Sequence, residues 1–217
     1  MLKKLFACGA ALIFMSGVAT ANLITSPVVA IGEKPADLTQ VIEPGAGETF
    51  CTGTFITPNI VLTAGHCVRD TVDEVVVQTT GKVLVGTILV DDDLNDYALI
   101  QTEESVDVWT SLSCHSPIHL GDKITMSGYP LDLGRISVEG RIIGMAAQNE
   151  SVNDLWPNGN FIIDSLGAPG MSGSAVVNSD GKVIGVFVGG FGNGFGTIGL
   201  AVDVLPVCVA LQDYDGT

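Results

Sequence analysis

Eight stretches rich in β-branched residues run through this chain, separated by Gly, Asp, Asn and Pro and by no helical periodicity. They are VVVQTT (75–80), KVLVGTILV (82–90), YALIQT (97–102), KITMSGY (123–129), RISVEGRIIGMAA (135–147), SAVVN (174–178), KVIGVFVGG (182–190) and TIGLAVDVL (197–205). Each reads as a strand. Strands that follow one another without helices between them imply an all-β fold. Neither face of KVLVGTILV is polar, as for a strand buried on both sides in a closed barrel. NSDG (178–181) between two of the strands is a hairpin signal.

The N-terminal end reads differently. MLKKLFACGAALIFMSGVATA carries two lysines, an apolar stretch from Leu5 to Val18 and a small-residue site at Ala19-Thr20-Ala21. This is the pattern of a secretory leader cut after Ala21. A membrane anchor is the competing reading, but the apolar part is shorter than the roughly 20 residues that a spanning helix needs. Residues 22–46 contain three prolines and little periodicity, and are expected to be an extended arm or a removable pro-segment. The domain proper is then expected over 47–217, with two lobes meeting near 110–122. Without the leader, 196 of the 217 residues remain, and Cys8 leaves with it. Cys51, Cys67, Cys114 and Cys208 stay, an even number suited to two disulfides in an exported chain, with three pairings open. An extracellular or periplasmic location is expected. The formal charge is −15 for the whole chain and −17 once Lys3 and Lys4 are gone. Such a surface argues against nucleic acid as a partner, since no Lys/Arg cluster is present to neutralise phosphates. It suits solubility.

With only three histidines in the chain, His66 stands out, set in a small turn at the end of an apolar run, VLTAGHCV (61–68). Two other stretches offer it partners. DDDLNDYALIQ (91–101) places Asp96 at the start of a strand, with Asp93 as the alternative carboxylate. GAPGMSGSAVV (167–177) places Ser172 in a glycine-flanked turn leading into another strand. A serine hydroxyl becomes a useful nucleophile when a histidine takes its proton, and the histidine needs a carboxylate to fix its tautomer. Acyl transfer also builds charge on the carbonyl oxygen. Backbone N–H groups aimed at it contribute roughly 3 to 4 kcal/mol for one donor. Gly170, with no Cβ, can turn its N–H inward, Ser172 can supply the second donor, and Gly173 permits close approach.

Together these segments resemble the trypsin/chymotrypsin-like serine peptidases. TAGHC (63–67) looks like the family's histidine motif, NDYALI (95–100) its aspartate motif and GMSGS (170–174) its nucleophile motif, in the family's order. The resemblance runs from about Cys51 to Cys208. SGYP (127–130), GMSGSAVVN and VIGVFVGG are similar to the bacterial branch that includes glutamyl endopeptidases. It implies two six-stranded antiparallel β-barrels with the site in the cleft between them, and a secreted serine endopeptidase acting through His66, Asp96 and Ser172. It also implies the pairs Cys51–Cys67, around the histidine loop, and Cys114–Cys208, from mid-chain to the end.

The chain departs from the family at three positions. Met171 stands where trypsins carry the aspartate that receives a freed N-terminus, although Ile31-Gly32 offers a dipeptide such activation would free. Phe187 stands where glutamyl endopeptidases carry a histidine. Leu166 stands where trypsins carry the acidic residue of their basic specificity. By similarity the primary pocket is walled by Leu166 to Pro169, Ala168 included, and by Phe187, Val188, Gly189 and Gly190, with Val188 and Gly190 pairing to substrate backbone. None of these side chains is charged, so uncharged residues are expected before the scissile bond, unless Arg135 or Arg141 reaches the pocket. No cofactor is implied. A metal site at Cys114, His115 and His119 is not expected, because the cysteine suits a disulfide, Pro117 breaks a helix and no carboxylate stands close. Proteins or peptides are the expected partners, with no membrane once the leader is gone, and a monomer is expected. An α/β-hydrolase is disfavoured by the order of the three residues and by Ser174 in place of the last glycine of G-x-S-x-G. The remaining rival is an inactive fold of the same kind serving as a binding or adhesion module.

Overall fold

The computed structural model describes residues 26–33, 49–69, 74–79, 82–145, 160–165, 167–191 and 198–215. The expected leader, most of the expected arm and Leu166 lie outside these. Among the described residues, twelve strands form two closed antiparallel barrels of six each. The first contains β1 (Val28–Glu33), β2 (Thr49–Phe55), β3 (Ile60–Ala64), β4 (Glu74–Thr79), β5 (Lys82–Asp92) and β6 (Tyr97–Thr102), in the spatial order β1-β2-β3-β6-β5-β4. The second contains β7 (Lys123–Gly128), β8 (Ile136–Met145), β9 (Phe161–Asp164), β10 (Ala175–Asn178), β11 (Val183–Phe191) and β12 (Ile198–Asp203), in the order β10-β11-β12-β9-β8-β7. Closure leaves neither barrel with an edge along its full length. Register shifts at Ile88/Val90, Ile142/Gly144 and Phe187/Gly189 supply bulges, which increase local bending.

The eight strands read from the sequence are present, several with ends moved by a residue or two. The NSDG hairpin is present as well. Asn178 Oδ1 accepts the N–H groups of Asp180 and Lys182, and Gly181 takes a φ of +74°. The structure differs from the sequence reading at three places. Val28–Glu33, assigned to the arm, is β1 of the first barrel, with Val29, Ala30 and Ile31 fully buried. A pro-segment removed through residue 46 would take a strand out of a closed barrel. KVLVGTILV is not buried on both faces. Leu84 and Gly86 are buried, but Thr87 is exposed and the residues around it are half-buried. The chain also ends in a helix, α1 (Leu205–Asp215), rather than extending the last strand to Leu205. Asp203 Oδ1 accepts the Leu205 N–H at 2.8 Å, and Pro206 fits the first turn, where an N–H would have no partner.

Phe55 and Leu62 fill the first barrel, and Phe161, Met126 and Ile163 the second. The first core runs on into Val186, Val188, Leu200, Val202 and Val207 of the second half. The two barrels are thus packed to each other through apolar side chains. Cys51 is bonded to Cys67 and Cys114 to Cys208, with Cα separations of 6.1 and 5.9 Å. Among the described residues no helix is long and apolar enough to cross a membrane.

Burial raises the pKa of Asp203 above the usual carboxylate value, with the N–H groups of Leu205 and Val204 pulling it back. A carboxyl whose folded pKa exceeds its unfolded pKa destabilises the native state in full above both values, and the cost disappears as pH falls below both. Asp203→Asn keeps the acceptor for Leu205 without the charge. It is expected to raise Tm at pH 7, a gain that closes as pH falls below the carboxylate range. Thermal melts across pH read this directly, and an unchanged Tm at neutral pH would contradict it.

Candidate active site

At the end of β3 the chain enters a 3₁₀ turn, Gly65–Cys67, that carries His66. The turn is tied at its end by the Cys67 bond to β2, and a Cβ on Gly65 would come within 3.2 Å of both Asp91 and Asp96. Asp96, 4% exposed, sits in the turn before β6 with a φ of +49°, a region in which aspartate is tolerated. Asp92 shapes that turn by accepting from the backbone and side chain of Asn95 at 3.0 and 2.7 Å. Asp96 grips His66 twice. Its Oδ1 accepts the His66 backbone N–H at 2.8 Å, and its Oδ2 lies 2.9 Å from Nδ1. This fixes the ring and places the Nδ1 proton toward the carboxylate, leaving Nε2 for chemistry.

Burial acts to raise the Asp96 pKa, but the hydrogen bonds and charge of His66, with the Arg69 guanidinium adding, hold it below the ordinary carboxylate value. Arg69 lies 3.6 Å from Asp96 and 2.7 Å from Asp93. Asp93, the alternative carboxylate of the sequence reading, is 82% exposed at its side chain and faces Arg69. Next to Asp96, the Tyr97 hydroxyl is pushed up to about 12 by burial and by Asp92, so it stays protonated.

Ser172 lies in the second barrel's turn between Pro169 and β10. Ala168-Pro169-Gly170-Met171 closes a turn through Met171 N–H to the Ala168 carbonyl at 2.9 Å, with Gly170 at a φ of +91°. Proline second and a positive φ third are the requirements of a type II turn. A Cβ on Gly170 would also stand 2.3 Å from the Tyr129 carbonyl oxygen. The N–H groups of Met171, Gly173 and Ser174 are all used inside the fold, donating to Ala168, Phe187 and Met171. Those of Gly170 and Ser172 donate to no acceptor among the described residues. Gly173, with a φ of +85°, presses against the first barrel. A Cβ there would come within 2.0 Å of the Thr52 carbonyl oxygen and 3.0 Å of the Ala64 N. The Thr52 N–H also donates to the Ser172 carbonyl at 2.8 Å. The Ser172 turn therefore abuts the strand end from which the His66 turn springs.

Met171, where trypsins carry an aspartate, is 1% exposed in the core of the second barrel. Burying such a side chain is worth about 1.5–3 kcal/mol, so an apolar anchor stands where a salt bridge would form in the trypsin scheme. Ile31 is fully buried in β1. A cavity of about 260 Å³ beside Ser172 is lined by Gly167, Ala168, Pro169, Ser172, Phe187, Gly189 and Gly190. The Phe187 ring floors it, wedged against Gly167 and Gly199 so closely that a Cβ on either would lie within 3 Å of ring atoms. Val188 sends its side chain into the apolar core and can offer only backbone. Neither Arg135 nor Arg141 lines this cavity, and Arg141 donates to the Gly121 carbonyl. Contrary to the expectation that no carboxylate stands close to His115 and His119, Asp122 Oδ2 accepts the His119 backbone N–H at 2.9 Å, while Cys114 is committed to Cys208.

Two six-stranded barrels, with a histidine–aspartate pair on one and a serine turn on the other, define the chymotrypsin-like class of fold. Residues 51–186 match the family model described as trypsin-like peptidase domain, and the chain belongs to that family. It is 29% identical over 127 residues to the serine endoprotease DegS of Haemophilus influenzae, covering 58% of this chain and 37% of that protein. It is 30% identical over 138 residues to a serine protease HtrA-like of Staphylococcus aureus, covering 58% and 18%. The chain thus spans well under half the length of these curated relatives. A serine endoprotease from Yersinia pestis superimposes with a TM-score of 0.67 at 19% identity, covering 87% of this chain and 62% of that one, a likeness of fold. The sequence motifs point to the glutamyl-endopeptidase branch, whereas these relatives carry DegS and HtrA names.

Proposed function

We propose that this chain hydrolyses peptide bonds with His66, Asp96 and Ser172 as its catalytic residues and the N–H groups of Gly170 and Ser172 as oxyanion donors. The observation that carries this reading is the double grip of Asp96 on His66, opposite a serine turn with two N–H groups that donate to no acceptor among the described residues. Ser172 Oγ attacks the scissile carbonyl carbon while its proton passes to His66 Nε2, and the carbonyl electron pair moves onto oxygen. Collapse of that intermediate expels the amine, which takes the proton from Nε2. Water then repeats the sequence on the acyl-enzyme and frees Ser172. Asp96 stays ionised throughout and supports the imidazolium.

Substrate is placed as an added strand. Past Val186 the second edge of β11 has no partner strand among the described residues, since β10 pairs only as far as that residue. The Val188–Gly190 backbone on this edge supports extended binding with the preceding side chain in the Phe187-floored cavity. Export after loss of the leader belongs to the same reading, as do protein or peptide substrates. Labelling by a serine-directed phosphonate together with hydrolysis of a peptide ester tests the chemistry. An inactive binding module would show neither.

The cavity has no charged lining and a bulky floor, so small uncharged residues are expected before the cleaved bond, with Lys, Arg, Asp and Glu at least tenfold poorer. Phe187→Leu is expected to deepen it and to raise kcat/KM for leucine over alanine by about tenfold. A peptide-library profile led by Glu, Lys or Arg would refute the first expectation. An unchanged leucine-to-alanine ratio would refute the second.

A further inference from the structure

We propose that Thr52, on the first barrel, is a positioning residue for the oxyanion turn on the second, acting with the Leu131 N–H from the other side. The inference rests on the reading that Gly170 donates to the oxyanion. Thr52 is fully buried, and its hydroxyl donates to the Gly170 carbonyl at 2.7 Å while accepting the Tyr129 N–H at 3.0 Å. The direction of Gly170 N–H is set by the peptide plane between Pro169 and Gly170. The carbonyl of that same plane accepts the Leu131 N–H at 3.0 Å. The plane on the far side of Gly170 carries the carbonyl that Thr52 holds. Both planes flanking Gly170 are therefore tied, and with them its φ and ψ.

Ser172, the other donor, is tied to the same residue through its own carbonyl and the Thr52 N–H. The Thr52 carbonyl is in turn fixed by the Thr63 hydroxyl at 2.7 Å. One strand position of the first barrel thus holds the carbonyls of both residues that supply the oxyanion donors, fixing the peptide plane that follows each of them.

Leu131 bears the mark of a constrained contact. Its φ is +52° and ψ +32°, a left-handed conformation that leucine adopts at a cost, yet its side chain is 59% exposed and gains little from packing. Such a conformation persists where the surroundings over-determine it. Here its N–H reaches the Pro169 carbonyl.

The test is steady-state kinetics paired with two inhibitors. A peptide aldehyde forms a hemiacetal whose oxygen occupies the oxyanion position, and the matching peptide alcohol does not. Thr52→Val keeps the side-chain shape and removes the hydroxyl. It is expected to lower kcat by about 10- to 100-fold with KM within about threefold, and to weaken the aldehyde by the same factor as kcat/KM. The alcohol should bind as before, and Thr52→Ser should restore turnover to within about threefold. Leu131→Val, whose branched side chain resists the left-handed region, should show the same split, and Leu131→Gly should not. A folded Thr52→Val protein with kcat within about threefold of the parent overturns the proposal, as does equal weakening of aldehyde and alcohol. Should Thr52→Val lose its near-UV circular dichroism, full activity in Leu131→Val overturns it instead. If the parent protein is not labelled by phosphonate at Ser172, it is the underlying peptidase reading that fails.

Discussion

Ser172→Ala is expected to yield a folded protein whose turnover is lower by about five to six orders of magnitude, with phosphonate labelling lost. His66→Ala should cost nearly as much, and the double variant little more, because a nucleophile without its base and a base without its nucleophile both leave only the binding site and oxyanion donors. Asp96→Asn is expected to cost about 10⁴-fold, since an amide in place of the carboxylate favours the wrong tautomer at His66. Asp93→Asn should change little. That side chain is exposed and faces Arg69, whereas the ring nitrogen is held by Asp96 at 2.9 Å. Active-site titration of each variant before the kinetics guards against wild-type contamination. Near-parental turnover in a folded Ser172→Ala or His66→Ala protein would sink the assignment.

The second large effect concerns stability. Replacing Cys114 and Cys208 together with alanine is expected to cost about 4–5 kcal/mol on the chain-entropy view, because the bridge closes a loop of 94 residues. In a protein of this size that lowers Tm by about 10–20 °C. The bridge joins the segment between the barrels to α1, where Cys208 is 4% exposed, so its loss also frees the end of the chain. Replacing Cys51 and Cys67, 16 residues apart, should cost less, about 3 kcal/mol, although it loosens the turn carrying His66. Urea unfolding of both pairs under non-reducing conditions gives the comparison. A loss below about 1 kcal/mol for the longer bridge would show that α1 is held by its apolar contacts alone.

The segments that carry the candidate site stood out in the sequence because each lies in a short contiguous run: a histidine beside a cysteine, an aspartate opening a strand, a serine among glycines. The class of fold was legible for a related reason, since β-branched runs between turn residues leave few alternatives. Other parts depend on distant partners. Val28–Glu33 looks like part of a proline-broken arm until its pairing with β2 and β4 is seen. The valines of α1 favour a strand locally, and capping by Asp203 with Pro206 decides otherwise. Thr52 and Gly170 are 118 residues apart, and nothing in either segment announces the hydrogen bond between them. A left-handed leucine has no sequence signature at all. Leu131 is recognisable only from its backbone angles.

If the edge of β11 beyond Phe187, which has no partner strand among the described residues, takes substrate as proposed, the shape of a protein target matters as much as its sequence. A segment must lie fully extended over several residues to pair with Val188–Gly190, so one held in a helix or an inner strand has to come loose first. The free energy of that loosening adds to the barrier of every cleavage, at about tenfold in rate for each 1.4 kcal/mol. A bond in a tightly folded domain opening at a cost of about 5 kcal/mol is cut some thousands of times more slowly than the same bond in a slack tail. Two proteins with identical cleavage sequences would then be sorted by their local stability, and a damaged copy would be consumed ahead of an intact one.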